Sequence, residues 1–147
     1  MMELNTLLVP VDFSDISKAA FLGAAQLATG DDCAVILLHV IDLAVPQMVE
    51  KLEFATVEEV VSKLRTQAES TLEAWKQLVE KPIDVQIVVC EGQPFMEIVR
   101  KAEEFQVDAI LMSKLGNRGQ MEKLLFGSTA ERVTRWATRP VIVLPPV

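Results

Sequence analysis

The feature that most constrains the fold is an almost unbroken apolar run early in the chain. Its residues, AVILLHVI, extend from Ala34 to Ile41. A strand that faces water on one side alternates apolar and polar side chains, whereas a strand of a parallel sheet is covered on both faces and is apolar throughout. The run therefore predicts an internal strand of a parallel sheet.

Four further segments have the length and composition of strands, and helical patterns separate them. The five predicted strands are Leu4–Val11, Ala34–Ile41, Ile83–Cys90, Ala109–Met112 and Val141–Leu144. The predicted helices begin at Ser14 or Asp15, at Thr56, at Pro94 and at Ser128; the first ends at Thr29-Gly30 and the last near Ala137. Strands that alternate with helices at this spacing indicate β-α-β units. We predict one domain over residues 1–147: a doubly wound, Rossmann-like α/β fold with an open five-stranded parallel sheet of order 3-2-1-4-5 and helices on both faces.

Two of the predicted helices begin at capping patterns. Thr56 with Glu59, and Ser128 with Glu131, match the capping box, in which a hydroxyl oxygen accepts from a backbone N–H and a glutamate three residues on reaches back. Residues 42–55 show little periodicity and are predicted to form a loop or lid longer than the usual connection.

Composition and charge exclude several classes of protein. The net charge of −7 disfavours nucleic-acid binding, which depends on clustered lysine and arginine. No segment approaches the roughly 20 apolar residues of a membrane span. The N-terminus lacks the pattern of a secretory signal, so we expect a cytoplasmic protein. Cys33 and Cys90 have no close cysteine or histidine neighbours in the sequence, which favours buried thiols over a metal site.

The predicted strand order places a ligand crevice between strands one and four. Ligands of doubly wound sheets bind outside the carboxyl ends of the strands, where the strand order reverses. Pro10, Val11 and Asp12, then Val40, then Met112 to Gly119 should converge there. Asp12 can accept from ribose hydroxyls or an adenine amine, and Val40 and Met112 can enclose a flat base. The alternative for Asp12 is a turn former or helix cap.

A phosphate would fit at the start of the last helix. Helix N-termini carry unpaired N–H groups and the positive end of the dipole, and nearby glycines let an anion approach the backbone. The residues concerned are Gly116, Gly119, Gly127, Ser128 and Thr129. The alternative is that the glycines only supply turns and Ser128 only caps a helix.

Six segments together resemble the universal stress protein family over essentially the whole chain. They are LLVPVDFSD, LLHVID, EGQPFMEIV, DAILMS, GSTAERV and RPVIVLP. The resemblance implies a stress-response module that binds ATP, or ADP or AMP, with any Mg²⁺ held mainly by the phosphates. It places ribose and adenine contacts at Asp12, Val40 and Met112. It also implies a homodimer through the strand Val141–Leu144; the alternative is a monomer whose sheet edge is blunted by the flanking prolines.

The glycine loop departs from the pattern of the ATP-binding members, Gly-x2-Gly-x9-Gly-Ser/Thr. Pairing Gly116 with Gly119 leaves seven residues before Gly127, and starting at Ser113 with Gly116 second leaves ten. Because a loop absorbs one or two residues at little closure cost, the site is still predicted. Arg118 either adds a contact to a phosphate or faces solvent.

Two functions follow, and neither requires catalysis. The first is an adenine-nucleotide-binding regulatory module; the second is a family member that binds no nucleotide and acts only as a dimeric interaction protein. No lysine precedes Ser128 as in a Walker A site, and His39, the only histidine, is expected to be a core or strand-end residue. The sequence does not decide whether the protein is an enzyme. The most that we expect is slow hydrolysis of ATP. A flavin protein of similar topology is disfavoured, because the loop after strand one is short and lacks a serine-, threonine- and glycine-rich run.

Overall fold

The chain alternates strands and helices, as the apolar pattern predicts. The computed structural model describes residues 3–28, 32–114 and 127–145. Within these ranges the strands are β1 (Thr6–Pro10), β2 (Ala34–Asp42), β3 (Asp84–Gly92), β4 (Ala109–Ser113) and β5 (Val141–Leu144). The helices are α1 (Asp15–Leu27), α2 (Ala44–Lys51), α3 (Val57–Lys76), α4 (Pro94–Glu104) and α5 (Ser128–Trp136).

The five strands form one parallel sheet of order β3-β2-β1-β4-β5, which confirms the predicted topology. The strand order reverses between β1 and β4. At this end of the sheet, Pro10 lies beside Leu38 and Ser113 lies beside Leu144. The carboxyl ends of β1, β2 and β4 therefore open onto the same edge of the sheet.

Apolar side chains cover both faces of the sheet. Leu7 and Val9 of β1 belong to one core, which includes Phe21 of α1 and Leu72 of α3. Leu8 points to the opposite core, which helices α4 and α5 cover through Ile98, Ala102, Ala130 and Val133. All three β1 residues are fully buried. Burying such a side chain stabilises the fold by roughly 1.5–3 kcal/mol. Because the side chains of β1 are buried on both faces of the sheet, the two helical layers together hold the central strand in place.

The predicted loop at residues 42–55 is wrong in part, because it contains helix α2. Pro46 is the third residue of α2, and the first hydrogen bond of the helix runs from Gln47 N–H to the Leu43 carbonyl at 3.0 Å. A proline is tolerated in a first turn, where its missing N–H would have no partner. Val45 and Met48 of this helix are more than half exposed, so α2 lacks the buried stripe by which a helix is usually predicted.

Two of the predicted helix starts are confirmed by their caps. The Ser14 hydroxyl oxygen accepts from Ser17 N–H at 3.1 Å, and the Thr56 hydroxyl oxygen accepts from Glu59 N–H at 3.2 Å. Strand β1 is shorter than predicted at both ends, and β3 continues to Gly92. The first helix ends at Leu27; its predicted terminus, Thr29-Gly30, lies outside the described residues.

Candidate functional site

A cleft opens at the carboxyl edge of the sheet, where β1, β2 and β4 end. Its volume is about 1440 Å³. Nine of the predicted site residues line it: Pro10, Val11, Asp12, Val40, Met112, Ser113, Gly127, Ser128 and Thr129. Known pockets for small molecules hold roughly 300–1,000 Å³, so volume does not prevent this cleft from holding a nucleotide.

Asp12 lies in the turn between β1 and α1. One of its carboxylate oxygens accepts from Ser14 N–H at 3.1 Å and from the Ser14 hydroxyl. The alternative role for Asp12, a turn former, is therefore part of its function in the fold. The same hydrogen bonds hold the carboxylate in place at the edge of the cleft, so the turn and a ligand contact are compatible roles.

Val40 and Met112 form the apolar part of the site. Both side chains belong to the core on the α4/α5 face, together with Ala130 of α5. They are 8% and 5% exposed, so each presents only a small surface to the cleft. Because β1 lies between β2 and β4, these two side chains stand on either side of the end of β1.

Helix α5 begins at Ser128, as predicted, but its capping residue is not the predicted one. Its cap is Gly127, and Ser128 is its first helical residue, so the predicted capping box of Ser128 with Glu131 is wrong. Glu131 N–H donates to the Gly127 carbonyl at 3.0 Å, and the Glu131 carboxylate pairs instead with Arg135 at 2.7 Å. Among the residues that the structure describes, no side chain caps this helix. The N–H groups of its first turn, from Ser128 to Ala130, therefore have no partner within the helix.

The start of α5 is held directly against the end of β4. Gly127 N–H donates to the Lys114 carbonyl at 2.8 Å, and Lys114 N–H donates to the Leu144 carbonyl at 2.8 Å. The predicted site residues Gly116, Arg118 and Gly119 lie outside the described residues. The predicted site residues that the structure describes therefore lie at the strand ends and at the start of α5.

Several residues of the cleft were not predicted from the sequence. Gln67 and Thr71 of α3 line it together with Leu64 and Ala68. These four positions follow the i, i+3, i+4, i+7 spacing of one helix face. Two polar residues within an apolar helical stripe are the signal that could have identified this wall.

Two further residues that were not predicted, Phe95 and Arg132, line the cleft on the α4/α5 side. The guanidinium carbon of Arg132 lies 5.3 Å from the centre of the Phe95 ring, and both residues face the cleft. A guanidinium at this distance is attracted by the face of an aromatic ring. The pair brings a positive charge to the wall that also holds the start of α5.

His39 reaches the same cleft from β2. Its Nδ1 atom lies 2.8 Å from the Val11 carbonyl oxygen, and its ring centre lies 4.2 Å from that of Phe13. Burial lowers the pKa of His39 below 6.5, although the bond to Val11 and the negative charge of Asp12 oppose this effect. His39 is therefore a half-buried residue inside β2 whose Nδ1 atom has a hydrogen-bond partner, and it also lines the cleft.

Comparison with known proteins identifies the family. A model described as the universal stress protein family matches residues 3–145. The chain belongs to the universal stress protein family. Universal stress protein MJ0531 of Methanocaldococcus jannaschii is 32% identical over 139 residues, which cover 94% of this chain and 80% of that protein.

Two solved structures of the family show the same fold. The structure of MJ0577, a universal stress protein of the same organism, has a TM-score of 0.84 and 32% identity, and covers 98% of this chain and 96% of its own. A universal stress protein of Archaeoglobus fulgidus, solved in complex with dAMP, has a TM-score of 0.64 and 21% identity, with coverage of 97% and 98%. At that lower identity the likeness concerns the fold alone.

Other kinds of site find no support in the described part of this universal stress protein. There, no group of three or more His, Cys, Asp or Glu side chains is placed to hold a metal ion. Cys33 is buried as predicted, whereas Cys90 is only half-buried, and burial raises the pKa of its thiol. No helix within residues 3–28, 32–114 and 127–145 has the length and apolar composition needed to cross a bilayer.

Proposed function

We propose that the chain is a cytoplasmic stress-response module that binds an adenine nucleotide, in the first place ATP, and acts as a homodimer. The observation that carries this proposal is the cleft itself, where the ends of β1, β2 and β4 meet the first turn of α5. One cleft thus offers an apolar surface, a carboxylate and a set of backbone donors. These are the groups that a base, a ribose and a phosphate chain require.

The base and ribose would lie over the strand ends. Val40 and Met112 supply apolar contacts on one face of the sheet, and Asp12 supplies an oriented acceptor between them. A carboxylate accepts from the two hydroxyl groups of a ribose or from the amine of adenine. The close approach of Pro10 and Val11 to the cleft completes this part of the site.

The phosphates would lie at the start of α5. Because no side chain caps the helix, the first-turn N–H groups from Ser128 to Ala130 are open to an anion, and the helix dipole favours negative charge there. The Ser128 hydroxyl is exposed and adds a donor. Gly116, Arg118 and Gly119 remain predicted phosphate contacts. Any Mg²⁺ would be held mainly by the phosphates themselves.

The comparison with a nucleotide-bound structure of the same family supports the proposal that the cleft binds an adenine nucleotide. The Archaeoglobus fulgidus universal stress protein solved with dAMP binds an adenine nucleotide on the same fold. We propose a binding role with at most slow ATP hydrolysis, because no lysine precedes Ser128 as in a Walker A site. Occupancy of the cleft would change the surface that the protein presents to its partners.

The test is to denature the freshly purified protein and identify released nucleotide by chromatography and mass spectrometry, then to titrate the apoprotein with ATP by calorimetry. We expect adenine nucleotide near one per chain, or ATP binding after its removal. Asp12→Ala should weaken binding by about 10- to 150-fold, because it removes a charge-assisted hydrogen bond worth roughly 1.5–3 kcal/mol. Gly127→Asp should abolish it by repelling the phosphates.

A matched control is Asp84→Ala, which removes an exposed carboxylate at the opposite end of the sheet. This variant should bind ATP as the wild type does. A protein that releases no nucleotide and gives neither heat nor a thermal shift with ATP would overturn the proposal.

The second candidate function is a dimeric interaction module without a nucleotide. The observation that favours it is a row of exposed apolar side chains on and after α2: Val45, Met48, Leu52 and Phe54, which are 56%, 57%, 57% and 80% exposed. Large apolar groups exposed together are typical of a surface that contacts another protein. Dimerisation that is unchanged by ATP, in a protein that binds no nucleotide, would favour this second function.

A further inference from the structure

His39 offers the cleft a hydrogen-bonding atom of defined character. Its Nδ1 atom lies 2.8 Å from the Val11 carbonyl oxygen. A carbonyl oxygen only accepts hydrogen bonds, so Nδ1 carries the proton. In a neutral imidazole the other nitrogen, Nε2, is then an acceptor. The lowered pKa of His39 agrees with a neutral ring at pH 7, because burial disfavours the charged form.

The Nε2 atom is not buried, and His39 lines the cleft. Among the described residues, no buried side-chain nitrogen or oxygen lacks a hydrogen-bond partner. His39 forms its one hydrogen bond through Nδ1, so Nε2 is not a buried atom. The surface that His39 lines is the cleft, where its neighbours are Asp12, Phe13 and Val40.

The surroundings of the ring hold it in this orientation. The Phe13 ring packs against it with the centres 4.2 Å apart, and the Trp75 ring contacts Phe13 edge-on at 5.7 Å. Turning the imidazole over would break the bond to the Val11 carbonyl. The acceptor is thus fixed before a ligand arrives, which is the condition for selecting among ligands that differ by one donor.

We infer that His39 is a specificity-determining residue whose Nε2 atom accepts a hydrogen bond from an amino group on the base of the bound nucleotide. This inference rests on the proposed function, since it deepens the description of the same site. It assigns the cleft to amino-substituted bases such as adenine. A base without that donor leaves Nε2 facing the ligand with no partner, and a desolvated acceptor without a partner is unfavourable.

The experiment compares the dissociation constants of ATP and of purine riboside 5′-triphosphate, which differ only by the exocyclic amine. The wild type should bind ATP about tenfold more tightly, the effect of one hydrogen bond and the acceptor left unpaired. Equal affinities would overturn the inference and leave the proposed function intact. Binding of neither compound would overturn both.

Two variants of His39 separate specificity from structure. His39→Asn places its amide nitrogen near the position of Nδ1, so it can keep the bond to the Val11 carbonyl while removing the acceptor at Nε2. We expect it to bind both triphosphates within about twofold of each other. His39→Gln places an amide oxygen near the position of Nε2 and should restore most of the preference for ATP.

The ratio of the two constants is the decisive readout, because a general loss of structure would weaken both ligands alike. A His39→Asn variant that keeps the wild-type ratio would assign the discrimination to another acceptor, such as Asp12, and overturn the inference. Failure of His39→Gln to restore the ratio would assign His39 a purely structural role and overturn it as well.

Discussion

His39 is a residue whose charge bears on both stability and the site. Burial lowers its pKa in the folded protein below 6.5, the value of an unperturbed histidine. Between the two pKa values the unfolded chain binds more protons than the folded one, so stability rises with pH in this window. The contribution of neutral His39 to the free energy of unfolding is fully present above pH 6.5 and is lost as the pH falls through the lowered pKa.

We therefore predict that the wild type loses free energy of unfolding relative to His39→Asn as the pH falls from 7.5 to 5. The variant carries no titrating group at this position, so the difference isolates the histidine. Urea unfolding of both proteins across this range measures it. Parallel pH profiles would contradict the prediction, because they would mean that the histidine pKa is the same in both states.

At the scale of elements, helices α1 and α5 both begin at the cleft but are capped differently. The Ser14 hydroxyl caps α1 through Ser17 N–H, whereas α5 begins at Gly127 with no side-chain cap. Serine therefore has different roles at the two starts. At Ser14 it satisfies the helix, and at Ser128 it leaves the helix donors open.

This difference predicts that replacing serine by alanine mainly affects stability at Ser14 and mainly affects ATP binding at Ser128. Ser14→Ala should lower the free energy of unfolding by about 1 kcal/mol, because it removes an N-cap. Ser128→Ala should change it by less than about 0.5 kcal/mol, as expected for an exposed position outside the cap, yet should weaken ATP binding. Urea unfolding and calorimetry on both variants measure the two effects. A Ser128→Ala protein destabilised as much as Ser14→Ala would indicate that this serine is a cap after all.

The sequence predicts elements wherever local pattern and burial agree. The largely buried strands β1, β2 and β4 contain apolar runs, and their order follows from the rules for parallel sheets. Helix α2 escapes prediction because its apolar side chains face outward, so no core imposes a period on them. The start of α5 at Ser128 is predicted, but its cap is not, because the same serine–glutamate spacing that forms a capping box occurs inside a helix as well.

The residues of the site, like the elements, were predictable where they belong to strands whose order follows from the sequence. Asp12, Val40 and Met112 end predicted strands, so the topology brings them together. Gln67 and Thr71 reach the cleft only through the packing of α3. The hydrogen bond between His39 and the Val11 carbonyl joins neighbouring strands. No spacing of residues along the sequence predicts it.

At the scale of the whole molecule, strand β5 leaves one edge of the sheet unpaired within the described chain. The carbonyls of Pro140 and Leu144 accept from β4. Backbone groups alternate in direction along a strand, so those of Val141 and Val143 face away from β4. These outward groups are available to a second copy of the chain, which is the basis of the proposed homodimer.

We predict that Val143→Pro converts a dimer into a monomer of 16.3 kDa. Proline removes an N–H that faces outward, and it is tolerated on an edge strand where the ladder inside the chain does not need that donor. Val143→Thr, which keeps the N–H and the branched shape, is the matched control and should remain dimeric. Sedimentation velocity distinguishes the species. A monomeric wild type, or a dimeric Val143→Pro, would contradict the proposed interface.

The hydrogen bond from Gly127 N–H to the Lys114 carbonyl has a consequence for how such proteins diversify. It ties together the two residues that flank positions 115–126, so these two residues stay next to each other whatever the number of residues between them. Adding or deleting two residues in a loop of this size changes the closure free energy by only roughly 0.1–0.2 kcal/mol. Evolution, or a designer grafting a foreign sequence, can therefore alter the length and chemistry between these two residues while the sheet and α5 keep their positions.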